Sequence, residues 1–146
     1  MMAMEGCMQR WFFALAFICM TCTAVRAETL SMQCRYDLAS FLVFEDGAFK
    51  ADTDSKEMSF TITIDTTTNK AYLTGNSGTA DLAIINREGQ MSFLQVSGNG
   101  PAIITTLTTV FLNPAPNKKF PSLHARQNRF GANYTTAQYT GYCSTF

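Results

Sequence analysis

Between Met58 and Asp65 apolar and polar residues alternate without a break: Met58, Phe60, Ile62 and Ile64 against Ser59, Thr61, Thr63 and Asp65. A period of two places each set on one face of an extended strand, whereas a helix scatters both sets around its circumference. The same pattern returns downstream. Ala80, Leu82 and Ile84 alternate, Met91 to Ser97 forms another short run, and Ala102 to Leu112 is rich in Ile, Thr, Val and Phe. Turn-forming residues separate the runs, among them Gly75-Asn76-Ser77-Gly78 and Gly98-Asn99-Gly100-Pro101. Ser122 to Arg129 and Thr135 to Cys143 supply the last two strands and Thr29 to Tyr36 the first. Asp37 to Phe44 fits either a strand or a short helix. Asn113-Pro114-Ala115-Pro116-Asn117 is a loop, because proline cannot donate to a strand ladder.

About eight strands with turns every 8–12 residues predict an all-β domain, either a barrel or a β-sandwich. Short turns between neighbouring strands favour a small antiparallel barrel with up-and-down connections. Closure also removes the free edges at which sheets aggregate.

The N-terminus reads as a cleavable signal peptide over residues 1–27. Arg10 precedes an uncharged, mostly apolar run from Trp11 to Val25, and Val25-Arg26-Ala27 places small or β-branched side chains at the cleavage positions. The run is shorter than the roughly 20 apolar residues of a spanning helix. Neither Cys19 nor Cys22 follows the small residue that a bacterial lipoprotein signal uses. The expected address is therefore periplasmic or secreted, with residues 28–146 as a single domain and no membrane span in the mature chain.

Removing this leader takes away Cys7, Cys19 and Cys22 and leaves Cys34 and Cys143. A lone pair in an oxidising compartment reads as one disulfide. The pair lies near opposite ends of the domain, so in a barrel it belongs at the seam where first and last strands meet. Two free buried thiols are the alternative.

Charge is unevenly spread. Residues 28–88 hold ten acids against five bases, while residues 89–146 hold no acid and four bases, Lys118, Lys119, Arg126 and Arg129. Two readings compete: a basic surface for an anionic partner, or two segments that neutralise each other in space. The second needs no partner and is the plainer reading.

Signatures of catalysis are missing from the chain. His124 is the only histidine, and no nucleophile elbow, phosphate-binding glycine loop or zinc motif is present. No metal or other cofactor and no nucleic acid is implied. Glu45-Asp46 and Asp52-x-Asp54 lack the spacing of a calcium loop and read as solvated loop charge. Asn133-Tyr134-Thr135 matches the N-glycosylation pattern, which matters only in a host that glycosylates. In Leu123-His124-Ala125-Arg126, alternation brings His124 and Arg126 onto one face. With Lys118 and Lys119 just before, that face offers an anion a guanidinium fork and further donors. The alternative is a polar strand face that is simply wet.

The C-terminal third adds a resemblance. Ile103-Ile104-Thr105-Thr106-Leu107, Leu123-His124-Ala125-Arg126 and Gln138-Tyr139-Thr140-Gly141-Tyr142-Cys143 resemble a group of small, uncharacterised secreted β-barrel proteins of Gram-negative, chiefly alphaproteobacterial, type. Those end in Gln-Tyr-x-Gly-x-Cys after a Thr-rich strand, and their histidine and arginine are adjacent rather than separated by an alanine. The resemblance implies a periplasmic address and brings no activity with it. The chain is also similar, in size and class alone, to small disulfide-bonded periplasmic barrels that inhibit lysozyme. The expected function is binding rather than catalysis: an anionic envelope component or protein held by Lys118, Lys119, His124 and Arg126. The alternatives are a lysozyme-inhibitor-like protein acting through the exposed segment Asn113 to Ser122, and a hydrolase with an unrecognised site.

Overall fold

The computed structural model describes residues 28–146. Residues 1–27, the expected signal peptide with its cleavage point, lie outside the described residues. The domain is all-β, with nine antiparallel strands: β1 (Thr29–Glu45), β2 (Ala48–Asp54), β3 (Met58–Asp65), β4 (Lys70–Gly75), β5 (Gly78–Arg87), β6 (Gln90–Asn99), β7 (Ala102–Phe111), β8 (Phe120–Phe130) and β9 (Asn133–Thr145). From β3 to β9 each strand pairs with the next in sequence, and β1 pairs with β3 on one edge and β9 on the other. Eight strands thus close a barrel, and β2 is an extra strand laid on β1 above β3.

The seam between β1 and β9 falls where the cysteines are. Cys34 and Cys143 are directly opposed in the ladder and form a disulfide across a separation of 109 residues. Both are fully buried. Gly141 sits in the same seam for a steric reason. A Cβ there would collide with the carbonyl oxygen of Arg35 and lie 2.8 Å from the Tyr36 Cα. This close approach occurs at the register shift between Tyr36 and Leu38, where Asp37 is left without a partner. The glycine of the C-terminal Gln-Tyr-x-Gly-x-Cys segment is what lets the bulged β1 lie against β9.

That bulge also explains why Asp37 to Phe44 is ambiguous as sequence. Met32, Cys34 and Tyr36 face inward at even positions; after the bulge Ala39 and Phe41 do so at odd ones. The segment is strand throughout, and β1 runs 17 residues. A second correction concerns Glu45-Asp46 and Asp52-x-Asp54, expected as solvated loop charge: all four acids are exposed, but residues 45–54 are not a loop. They form a two-residue hairpin in which Asp46 and Gly47 have φ of 54° and 78° and Glu45 opposes Ala48. Positive φ at both turn residues is the type I′ geometry, which aspartate and glycine accept most readily. All seven residues of β2 are exposed.

The barrel is filled rather than hollow over much of its height. Tyr36, Ile62, Phe93 and Val110 are under 2 % exposed, and Met32, Phe60, Ile64, Leu82 and Tyr139 pack with them. Each large apolar side chain so buried contributes about 1.5–3 kcal/mol. The end carrying the β1–β2 turn is built differently. β5 pairs with β4 through Gly78–Leu82 and with β6 only through Ala83–Arg87. The last part of β6, Gln95–Asn99, therefore pairs with β7 alone, and the wall has a gap beside it. This end is the mouth.

Candidate binding site

A depression of about 960 Å³ takes in the mouth and the outer face of the β1–β9 seam. Strand parity sorts its lining into two sets. The inward set includes Tyr36, Phe60, Gln95, Thr106, His124 and Arg126; the outward set includes Arg35, Tyr142 and Ser144 along the seam, and Lys119 joins the lining from the loop just before β8. Of the residues expected to act together, His124 and Arg126 do share the inward face. Lys119 borders the same depression from the loop before β8. Lys118 does not line it; it is an exposed loop residue with φ of 61°.

His124 is not on a wet strand face. It is 5 % exposed and lies among three aromatic rings, with centroid distances of 5.2 Å to Phe60 and 5.8 Å to both Tyr36 and Tyr139. Burial pushes its pKa down to about 4, and the nearby Arg126 charge acts in the same direction. The imidazole is therefore neutral at pH 7 and adds no charge to the site. Nδ1 lies 2.8 Å from the Thr108 hydroxyl. Among the described residues no sealed side-chain nitrogen or oxygen lacks a partner, so Nε2 keeps its opening to the depression. When Thr108 donates to Nδ1, Nε2–H is left to donate outward.

Beneath His124 runs a second polar chain. The Ser122 hydroxyl donates to the Thr109 carbonyl at 2.9 Å, which uses its one proton, so the Tyr36 hydroxyl donates to Ser122 at 2.8 Å. Burial pushes the Tyr36 phenol up to about 12, against the smaller opposing effect of Ser122. These bonds satisfy groups inside the core and orient the floor of the mouth. Thr108 is 2 % exposed, so the Thr108–His124 pair lacks the access that a nucleophile and its base require.

Arg126 is exposed at the rim. Its Nε donates to Asn128 Oδ1 at 3.0 Å, and Thr106, directly across the ladder, donates to Gln95 Oε1 at 3.3 Å. No acid of residues 28–88 forms an ion pair with a base of residues 89–146 among the described residues. Among the described residues the one ion pair is Lys50–Glu45, inside the acidic stretch itself. Asp37 and Glu57 border the depression, yet neither lies within 4.0 Å of a basic nitrogen.

Arg35, Gln95 and Thr106 join the site without any advance sign in the sequence. Gln95 and Thr106 are neutral residues on unremarkable strands, and only their inward parity marks them. The segment Asn113 to Ser122 joins β7 to β8 at the end of the barrel away from the β1–β2 turn, and of its residues Lys119 alone borders the depression. Its loop is braced by Ala115 N–H to the Lys119 carbonyl and Lys118 N–H to the Ala115 carbonyl, both 2.8 Å, before β8 begins at Phe120. Compared with known proteins, the chain matches no family model, no curated protein and no solved structure.

Proposed function

We propose that the protein is an exported, non-enzymatic binding protein, periplasmic or secreted, that holds an anionic group of an envelope component or protein at the barrel mouth. Arg126 supplies the charge. His124 Nε2, Gln95 and Thr106 supply neutral hydrogen bonds around it. The observation that carries this reading is an inward-facing guanidinium with no carboxylate partner at the edge of a polar-floored opening. A guanidinium so placed retains the free donors that a carboxylate or phosphate takes up in pairs. Export is supported by the disulfide and by the leader pattern, since such bonds persist in oxidising compartments.

The test is calorimetric titration with short polyphosphate and with an acidic oligosaccharide such as trigalacturonate. A charge-assisted hydrogen bond contributes about 1.5–3 kcal/mol, so Arg126→Ala should weaken binding by roughly 10–150-fold. Equal binding by the variant, or no binding of either probe by the parent protein, refutes the assignment. The inhibitor reading rests on the braced Asn113–Lys119 loop, and lysozyme activity assayed with and without the protein separates it from the mouth-binding reading.

A further inference from the structure

The strand that adds nothing to the barrel core is the one whose free edge is self-complementary. β2 pairs with β1 along one edge only, and its other edge has no partner among the described residues. Glu45 and Ala48 flank a two-residue turn and so form a hydrogen-bonded pair. The ladder then alternates, which points the N–H and C=O groups of Ala48, Lys50, Asp52 and Asp54 toward β1. Those of Phe49, Ala51 and Thr53 point outward, into the free edge. The side chains divide the same way. Lys50, Asp52 and Asp54 share one face; Phe49, Ala51 and Thr53 share the other.

We propose that two copies of this chain associate through antiparallel pairing of β2 with β2 of a second copy, about a twofold axis at Ala51. Face matching requires the axis to pass through a residue position, which leaves three central registers. An axis at Lys50 sets Lys50 opposite its own copy; an axis at Asp52 sets Lys50 opposite Asp54 twice but brings Asp52 against its own copy at the centre. Like charges directly opposed are destabilising. The axis at Ala51 instead sets Lys50 of each copy opposite Asp52 of the other, twice. These are non-hydrogen-bonded positions, where side chains approach most closely. Phe49 with Thr53, and Ala51 with Ala51, then become the hydrogen-bonded pairs, giving about six backbone hydrogen bonds.

The opposite face favours the same register. Leu42, 42 % exposed, lies across from Ala51 in the β1–β2 ladder. In the dimer this makes a row of leucine, alanine, alanine and leucine over four strands, with Phe49, 67 % exposed, beside it. The Lys50–Glu45 contact at 3.3 Å is a solvent-exposed pair with both side chains more than half accessible. Exchanging it for Asp52 of the other copy therefore costs little. In the other two registers a like-charged pair sits on the axis itself, so the edge favours one partner register over indiscriminate sheet growth.

Sedimentation velocity over a concentration series tests this, using protein purified from cells expressing the full chain. The expected result is a monomer–dimer equilibrium. Ala51→Pro removes an N–H that the monomer leaves in solvent, at an edge position that tolerates proline; it should raise the dimer dissociation constant at least about 100-fold without changing the circular dichroism spectrum. Asp52→Lys should weaken dimerisation about tenfold or more, and Lys50→Asp combined with Asp52→Lys should restore it. A monomer at every concentration up to about 1 mM, a dimer indifferent to Ala51→Pro, or a charge exchange that fails to restore association overturns the proposal. If the proline variant misfolds, the charge exchange decides.

Discussion

Reduction of the Cys34–Cys143 bond frees the two ends of the barrel sheet in the unfolded chain while leaving the native ladder in place. The bridge closes a loop of 109 residues. In the chain-entropy description this removes about 16 cal/mol/K from the unfolded ensemble, or about 4.8 kcal/mol at 25 °C. Unfolding entropy near 2.1 cal/mol/K per residue amounts to roughly 250 cal/mol/K for residues 28–146, so the melting temperature should fall by about 19 °C. Against a typical total of 5–15 kcal/mol the loss is large, yet the reduced protein should still fold. Its seam keeps twelve paired positions from Met32–Thr145 to Phe44–Tyr134. Both cysteines are fully buried, so reductant reaches the bond only when the seam opens. The reduced form is best made in denaturant and refolded under reductant, then compared with the oxidised form by guanidinium unfolding. A double variant, Cys34→Ala with Cys143→Ala, should lose about 1–2 kcal/mol more, because the sulfur volume is left empty. Oxidised and reduced forms that differ by less than about 1 kcal/mol would refute the reasoning, since the bond would then not be restraining the unfolded chain.

Two further outcomes follow from the core of the barrel. His124 titrates near pH 4 in the fold and near 6.5 when unfolded. Its contribution to stability is therefore full above pH 6.5 and is lost as pH falls from 6.5 toward 4, by about 3 kcal/mol in all. Urea midpoints measured across that range should slope accordingly in the parent and lie flatter in His124→Gln; an identical slope in both counts against the buried neutral imidazole. Gly141→Ala forces a methyl group onto the Arg35 carbonyl and should cost about 2–3 kcal/mol by overpacking. Thermal unfolding reads this directly, and a variant as stable as the parent would show that the bulge at Asp37 relaxes freely.

Much of the barrel is legible in the sequence because its signals are local. Met58 to Asp65 alternates, the Gly75–Gly78 and Gly98–Pro101 turns interrupt the pattern, and Cys34 and Cys143 mark the closing strands. β2 escapes the same reasoning because it has no buried face: Phe49, Ala51 and Thr53 are as exposed as Lys50, Asp52 and Asp54. The signal available there is Asp46-Gly47, a dipeptide suited to a two-residue hairpin. β1 hides its length behind the bulge, which moves the inward positions from even to odd. At the site, spacing alone places His124 and Arg126 on one face. Burial of His124 depends on Tyr36, Phe60 and Tyr139 arriving from three other strands, and no window around residue 124 contains that information. Lys118 and Lys119 are adjacent in sequence, yet the turn before β8 separates them with respect to the depression.

The sharing of β1 among β2, β3 and β9 has a consequence for how the chain is made. Synthesis runs from the N-terminus, and β2 and β3 become available soon after β1, so one edge of that strand is occupied early. The other edge, Met32 to Phe44, waits for Tyr134 to Thr145. For nearly the whole of elongation a long row of backbone donors and acceptors is open, with the Cys34 thiol in it. Another molecule's finished β9 presents the same register and its own Cys143. β9, the last of the described strands in chain order, is thus also the one that decides whether a barrel closes on itself or on its neighbour.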